Sequence, residues 1–161
     1  MAGIFAVIDS HRSAVDVNLA RRLMSALKHY GDSDGQLLSK SNAVVGLQSN
    51  QRERQTFSSQ VVELNSSDLF VFDGRIDNRQ TLIQDGEFHI LAPQFTSMDL
   101  CRLSDAELFL AWIKCFGSER LQAIVGPFVF VFIDTTSGSV MAARDAMGGR
   151  ALSYISCEGA V

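Results

Sequence analysis

The sequence predicts an α+β domain built in stacked layers, and three observations carry that prediction. Phe128-Val-Phe-Val-Phe-Ile133 is apolar on both faces, so a layer must cover each side of that strand. Strand-like runs outnumber helical ones along the chain. The helices that do occur are amphipathic at the 3.6-residue period, as helices packed on a sheet must be.

The elements follow in order. Residues 2–8 form an apolar run rich in branched side chains and read as a buried strand. A helix is expected from about Asp16 to Tyr30, since Leu19, Ala20, Leu23, Met24 and Leu27 share one face and Gly31 stands where a closing glycine belongs. Short strands are expected at 36–40, 43–48 and 59–64, and Leu69-Phe-Val-Phe72 is a fully apolar strand ending on the turn signal Asp73-Gly74. A short helix starts near Asn78 with Leu82 and Ile83 inward, and 85–103 reads as irregular. Ser104-Asp-Ala-Glu107 is a capping box opening a helix that carries Leu108, Ala111, Trp112 and Cys115 and stops near Gly117. A short helix is expected at 118–125. The Thr135-Thr-Ser-Gly138 turn then joins strand 128–133 to 139–144, and a last strand is expected at 151–156.

Composition narrows the class. The chain has 161 residues, 47% apolar and 20% charged, with a net charge of -4. That is enough for one domain with a real core. The acidic balance argues against a nucleic-acid or anionic-membrane surface. No apolar run approaches the roughly 20 residues that span a bilayer. The apolar start lacks a basic region and meets Asp9, which is unlike a signal peptide. Cys101, Cys115 and Cys157 form an odd set without metal spacing, and His11, His29 and His89 show no ligand pattern, so the chain reads as cytoplasmic and metal-free. Cys115 is expected as a small buried hydrophobe. Arg144-Asp145 is expected as a structural pair, and Gly148-Gly149-Arg150 lacks the lysine of a phosphate loop.

Five segments together resemble the class II glutamine amidotransferases, in particular the asparagine synthetase type. Met1-Ala-Gly-Ile-Phe-Ala6 resembles that family's Met-Cys-Gly-Ile-Phe opening, and Val71-Phe-Asp-Gly-Arg-Ile-Asp-Asn78 its Phe-Asn-Gly-Glu-Ile-Tyr-Asn. Ser104-Asp-Ala-Glu107 is similar to Ser-Asp-x-Glu. Gly126-Pro-Phe-Val-Phe-Val131 and Ala143-Arg-Asp-Ala-Met-Gly-Gly-Arg-Ala-Leu-Ser-Tyr154 are similar to the family's two closing blocks. The segments keep the family's order over most of the chain. The resemblance implies an N-terminal-nucleophile hydrolase fold, an αββα four-layer sandwich of antiparallel sheets, over residues 1–161. It also implies that the chain is truncated before its last strand, leaving 152–161 frayed or paired with another molecule.

The same resemblance locates the chemistry, and each part is altered. The nucleophile position holds Ala2, whose methyl group has no lone pair to attack an amide. The oxyanion hole falls on Asp73 and Gly74, and an ionised aspartate only accepts hydrogen bonds. Losing one such donor costs about 10²–10³ in rate. The carboxylate-clamping arginine falls on Gln48, 25 positions before Asp73, with Arg52 and Arg54 out of register. Asp105 remains at the position that receives the substrate ammonium; as a first-turn helix acid it has a structural reading too.

The implied parent is an ATP-dependent amide-forming ligase, a lasso-peptide macrolactam cyclase in preference to the similar β-lactam synthetases. Its ATP and Mg²⁺ would reside in a synthetase domain absent from this chain, and this domain would need no cofactor. Expected partners are that domain and a peptide substrate, with no nucleic acid, no membrane and an oligomer open. Two alternatives stand beside it: a glutamine-hydrolysing synthetase domain carrying an engineered Cys-to-Ala change, and a stand-alone peptide- or protein-binding module.

Overall fold

A computed structural model describes residues 2–9, 14–31, 34–50, 60–62, 68–93 and 97–156. Among the described residues seven strands form two antiparallel sheets. Strands β1 (Gly3–Ile8), β2 (Gln36–Lys40) and β3 (Ala43–Gln48) make the first, in the order β1-β3-β2. Strands β4 (Gln60–Val62), β5 (Asp68–Gly74), β6 (Phe128–Asp134) and β7 (Ser139–Arg144) make the second, in the order β4-β5-β6-β7.

Alternation along the strands decides what lies between the sheets. Ala2, Ile8, Ala43, Val45, Leu47, Leu69, Val71, Val131 and Ile133 form one buried cluster there. The opposite face of β5 and β6 presents Phe70, Phe72, Phe128 and Phe130 to the helix α5 (Asp105–Phe116), whose Phe109 ring lies 4.8–5.1 Å from three of them. Helix α1 (Val17–Ala26) and the 3-10 turn Leu27–Tyr30 cover the outer face of the first sheet. A Cβ on Gly46 would sit 3.0 Å from Met24 Sδ, and one on Gly3 2.5 Å from the Tyr30 ring. The layers therefore run helix, sheet, sheet, helix. Among the described residues no helix is long and apolar enough to cross a membrane.

The capping box forms as expected. The Ser104 hydroxyl accepts from Glu107 N at 3.2 Å, and Glu107 Oε2 accepts from Ser104 N at 2.7 Å. Four expectations need correction. The helix near 16–30 splits into α1 and its 3-10 turn, and Gly31 (φ 169°) is extended rather than left-handed. Glycine is required there because a Cβ would lie 2.3 Å from the Ser49 carbonyl carbon.

The irregular region contains two six-residue helices, α3 (Gly86–Leu91) and α4 (Ser97–Arg102), after α2 (Arg79–Ile83). Each is too short for periodicity to register, although Asp85 caps α3 by accepting from Phe88 N at 2.8 Å. The helix at 118–125 is only a 3-10 turn, Leu121–Ala123. Asn78 replaces helical bonds there, donating to Ala123 O at 2.8 Å and accepting from Val125 N at 2.9 Å.

Residues 151–156 are not a strand. They pair with no strand among the described residues, and Tyr154 and Ile155 are 90% and 76% exposed. Leu152 lines a cleft of about 240 Å³ between the β1 and β7 edges, with Ile4, Val131 and Val140. The expectations on 59, 63–64, 157–161, Cys157, His11, Arg52 and Arg54 lie outside the described residues.

Candidate functional site

The site is built where β1 enters the first sheet and β5 leaves the second. Ala2 is 6% exposed and belongs to the inter-sheet cluster. Asp73 follows Leu69 and Val71 at two-residue spacing and so turns to the same inter-sheet space. It is 1% exposed, and a carboxylate so deep needs a counter-charge. Arg150 supplies it: its Nε lies 2.9 Å from Asp73 Oδ2, an ion pair whose angles fall short of a hydrogen bond.

Arg150 was not singled out from the sequence as a site residue. The signal that could have found it is electrostatic. An aspartate in a fully buried strand demands a nearby cation, and the Gly-Gly-Arg segment follows the strand pair that flanks it.

Gly74 closes β5 opposite Phe128. A Cβ there would lie 2.5 Å from Pro127 O and 2.7 Å from Phe128 Cα, so glycine is dictated by backbone crowding. Gln48 goes elsewhere. It pairs with Gly3, whose missing side chain faces the 3-10 turn Leu27–Tyr30, so Gln48 shares the outer face of the sheet while Ala2 lies on the inner one. Its Nε2 donates to Gly31 O at 2.8 Å, and it lines a cleft of about 650 Å³ with Arg21, Met24, Lys28 and Leu37. The structure therefore does not bring Gln48 to the face that Ala2 and Asp73 share.

Asp105 is committed to backbone and cation. Oδ2 accepts from Ile76 N at 2.9 Å and Oδ1 from Arg79 Nη1 at 2.7 Å. Arg79 Nη2 in turn donates to Leu100 O at 3.1 Å, Cys101 O at 3.3 Å and Leu103 O, gathering the end of α4. Arg79 is the second residue that sequence reasoning missed, and nothing in its spacing points to it.

Arg144 and Asp145 do not pair with each other, which corrects the expectation. Arg144 Nη1 donates to Arg150 O at 3.3 Å, while Asp145 Oδ1 accepts from Gly149 N at 2.9 Å. Both fasten the loop that delivers Arg150. His29 Nδ1 lies 2.9 Å from Ala26 O and ends its helix. Burial raises the Cys115 thiol above its ordinary pKa. Among the described residues no group of His, Cys, Asp or Glu is placed to hold a metal ion.

The chemistry available at Ala2, Asp73, Gly74 and Arg150 is therefore electrostatic. A methyl group stands at the chain start, and a carboxylate faces a guanidinium at the inter-sheet space. Comparison with curated proteins finds no match. The family model for the glutamine amidotransferase domain matches residues 1–161, and the chain belongs to that family.

Proposed function

We propose that this glutamine amidotransferase domain is catalytically silent and serves an ATP-dependent amide-forming ligase of the asparagine synthetase type, best read as a lasso-peptide macrolactam cyclase. The observation that carries the reading is Ala2. The family's chemistry needs a nucleophile beside the free α-amine, and a methyl group cannot form the covalent intermediate. Asp73 supports it, because a negative group at an oxyanion-hole position opposes the charge that develops there. An amidotransferase that supplies no ammonia fits a parent whose amine comes from its own substrate, as a macrolactam closure requires. ATP and Mg²⁺ would act in the synthetase unit.

The test has two arms. The purified chain and its Ala2→Cys variant are assayed for ammonia release from glutamine and for labelling by a glutamine-analogue electrophile. Both should stay at the buffer rate, because a thiol at position 2 would still face Asp73. Glutamine turnover by the chain itself would sink the silent reading, and turnover restored by Ala2→Cys alone would favour the engineered Cys-to-Ala alternative. In the second arm, the protein joined to its synthetase domain should turn over ATP with a peptide substrate in the absence of glutamine. Asparagine formation from aspartate would refute the cyclase parent while leaving silence intact.

A further inference from the structure

We infer that Asp73 and Arg150 form a charge lock that ties the loop after β7 back to the end of β5, so that changing Asp73 alone to a neutral amide destabilises the fold. The strand register sets the stage. Asp73 lies opposite Val129, and Val129 opposite Arg144, so the three form one row across β5, β6 and β7. Two strand spacings separate Asp73 from Arg144, roughly 10 Å. Arg150 bridges this gap: its carbonyl is held by Arg144, while its guanidinium reaches back to Asp73.

The loop that delivers it is preformed. Gly148 N donates to Asp145 O at 3.1 Å and Gly149 N to Asp145 Oδ1 at 2.9 Å, while Asp145 N donates to Phe128 O at 2.9 Å. Gly149 passes close against Pro127, where a Cβ would lie 3.4 Å from the proline Cβ. Asp73 is buried and Arg150 largely so, with side-chain exposures of 2% and 15%. Among the described residues Asp73 is the ion-pair partner that Arg150 has. A guanidinium so placed is left as an uncompensated, largely buried charge if Asp73 is neutralised. The inference concerns this ion pair and holds whatever the parent enzyme makes.

Urea unfolding of wild type, Asp73→Asn, Arg150→Met and the double variant, followed by Trp112 fluorescence, tests it. Each single variant should lower the folding equilibrium constant on the order of 100-fold, the low end for breaking a buried pair. The double variant should recover most of that loss, because both charges leave together. Wild-type stability in Asp73→Asn, or single losses that simply add in the double, would overturn the lock. A measurement on the native chain guards against variants that fail to fold. The Arg150 Nε–H signal, identified by its disappearance in Arg150→Lys, should exchange slowly with solvent. Exchange as fast as that of an exposed arginine would equally overturn it.

Discussion

Replacing Asp105 by asparagine removes a charge while keeping the side chain's shape, which separates a structural role from a ligand role. The carboxylate holds Arg79 Nη1 at 2.7 Å and Ile76 N at 2.9 Å, with side-chain exposures of 23% for Arg79 and 17% for Asp105. Asparagine can still accept from Ile76 N, so the loss falls on the Arg79 contact. A hydrogen bond to a charged group contributes about 1.5–3 kcal/mol, and a first-turn acid adds about 0.3–1 kcal/mol against the helix dipole. Allowing for partial screening by solvent, Asp105→Asn should cost about 2–3 kcal/mol. For a domain of this size each kcal/mol shifts Tm by about 2–4 °C, so the midpoint should fall by about 4–12 °C. Urea unfolding read from Trp112, the single tryptophan and 1% exposed, measures the loss directly. A change below about 0.5 kcal/mol would refute the structural assignment. A variant of normal stability that lost a glutamine-induced thermal shift seen in the wild type would return Asp105 to substrate binding.

Three further outcomes follow from the geometry. Phe109→Ala should cost about 3–5 kcal/mol or prevent folding, because its fully buried ring meets four others; a loss under about 1 kcal/mol in denaturant titration would contradict the packing. Peptide-mapped alkylation should modify exposed Cys101 before Cys115, whose desolvated thiol ionises only at higher pH; equal rates at pH 8 would contradict the burial. The Asp134 carboxyl is held below its ordinary pKa by the Ser137 hydroxyl, then by Thr136 N–H. Its contribution is therefore full above the unfolded carboxylate value near about 3.9 and lost as pH falls through the lower folded one. Hydrogen exchange in the 134–139 hairpin should accelerate across that acidic window in the wild type and stay flat there in Asp134→Asn.

What was legible in the sequence follows from the length of each physical signal. β2, β3 and β7 have the expected limits because alternation and turn residues mark both ends of each. The capping box at Ser104 was legible because four consecutive residues satisfy one another. The helices at 86–91 and 97–102 were not, since six residues hold too few turns for a period to emerge. Residues 151–156 carry strand-like composition, but a strand exists only where an edge receives it, and composition cannot supply the partner. At the site, Ala2 and Asp73 were legible as chemistry. Arg150 was not, because the ion pair depends on a loop folding back across β6, a long-range fact invisible to spacing.

The same structure shows which parts of the family signature the scaffold itself demands. Gly74 has no room for a Cβ beside Pro127 O, and Gly126 has none beside Arg75 O, where a Cβ would lie 2.3 Å away. Asn78 holds the chain at Ala123 and Val125, Asp105 holds Ile76 N and Arg79, and Arg75 N donates to Pro127 O at 3.1 Å. These residues carry much of the resemblance, and each answers to packing or to backbone hydrogen bonding. On the reading proposed above, nucleophile and oxyanion donor answer only to substrate, so they can change without loosening the sandwich, provided any new charge finds a partner. Asp73 met that condition through Arg150. In this fold a matched motif therefore speaks for the scaffold, and the reading of activity turns on Ala2, Asp73 and the arginine that faces it.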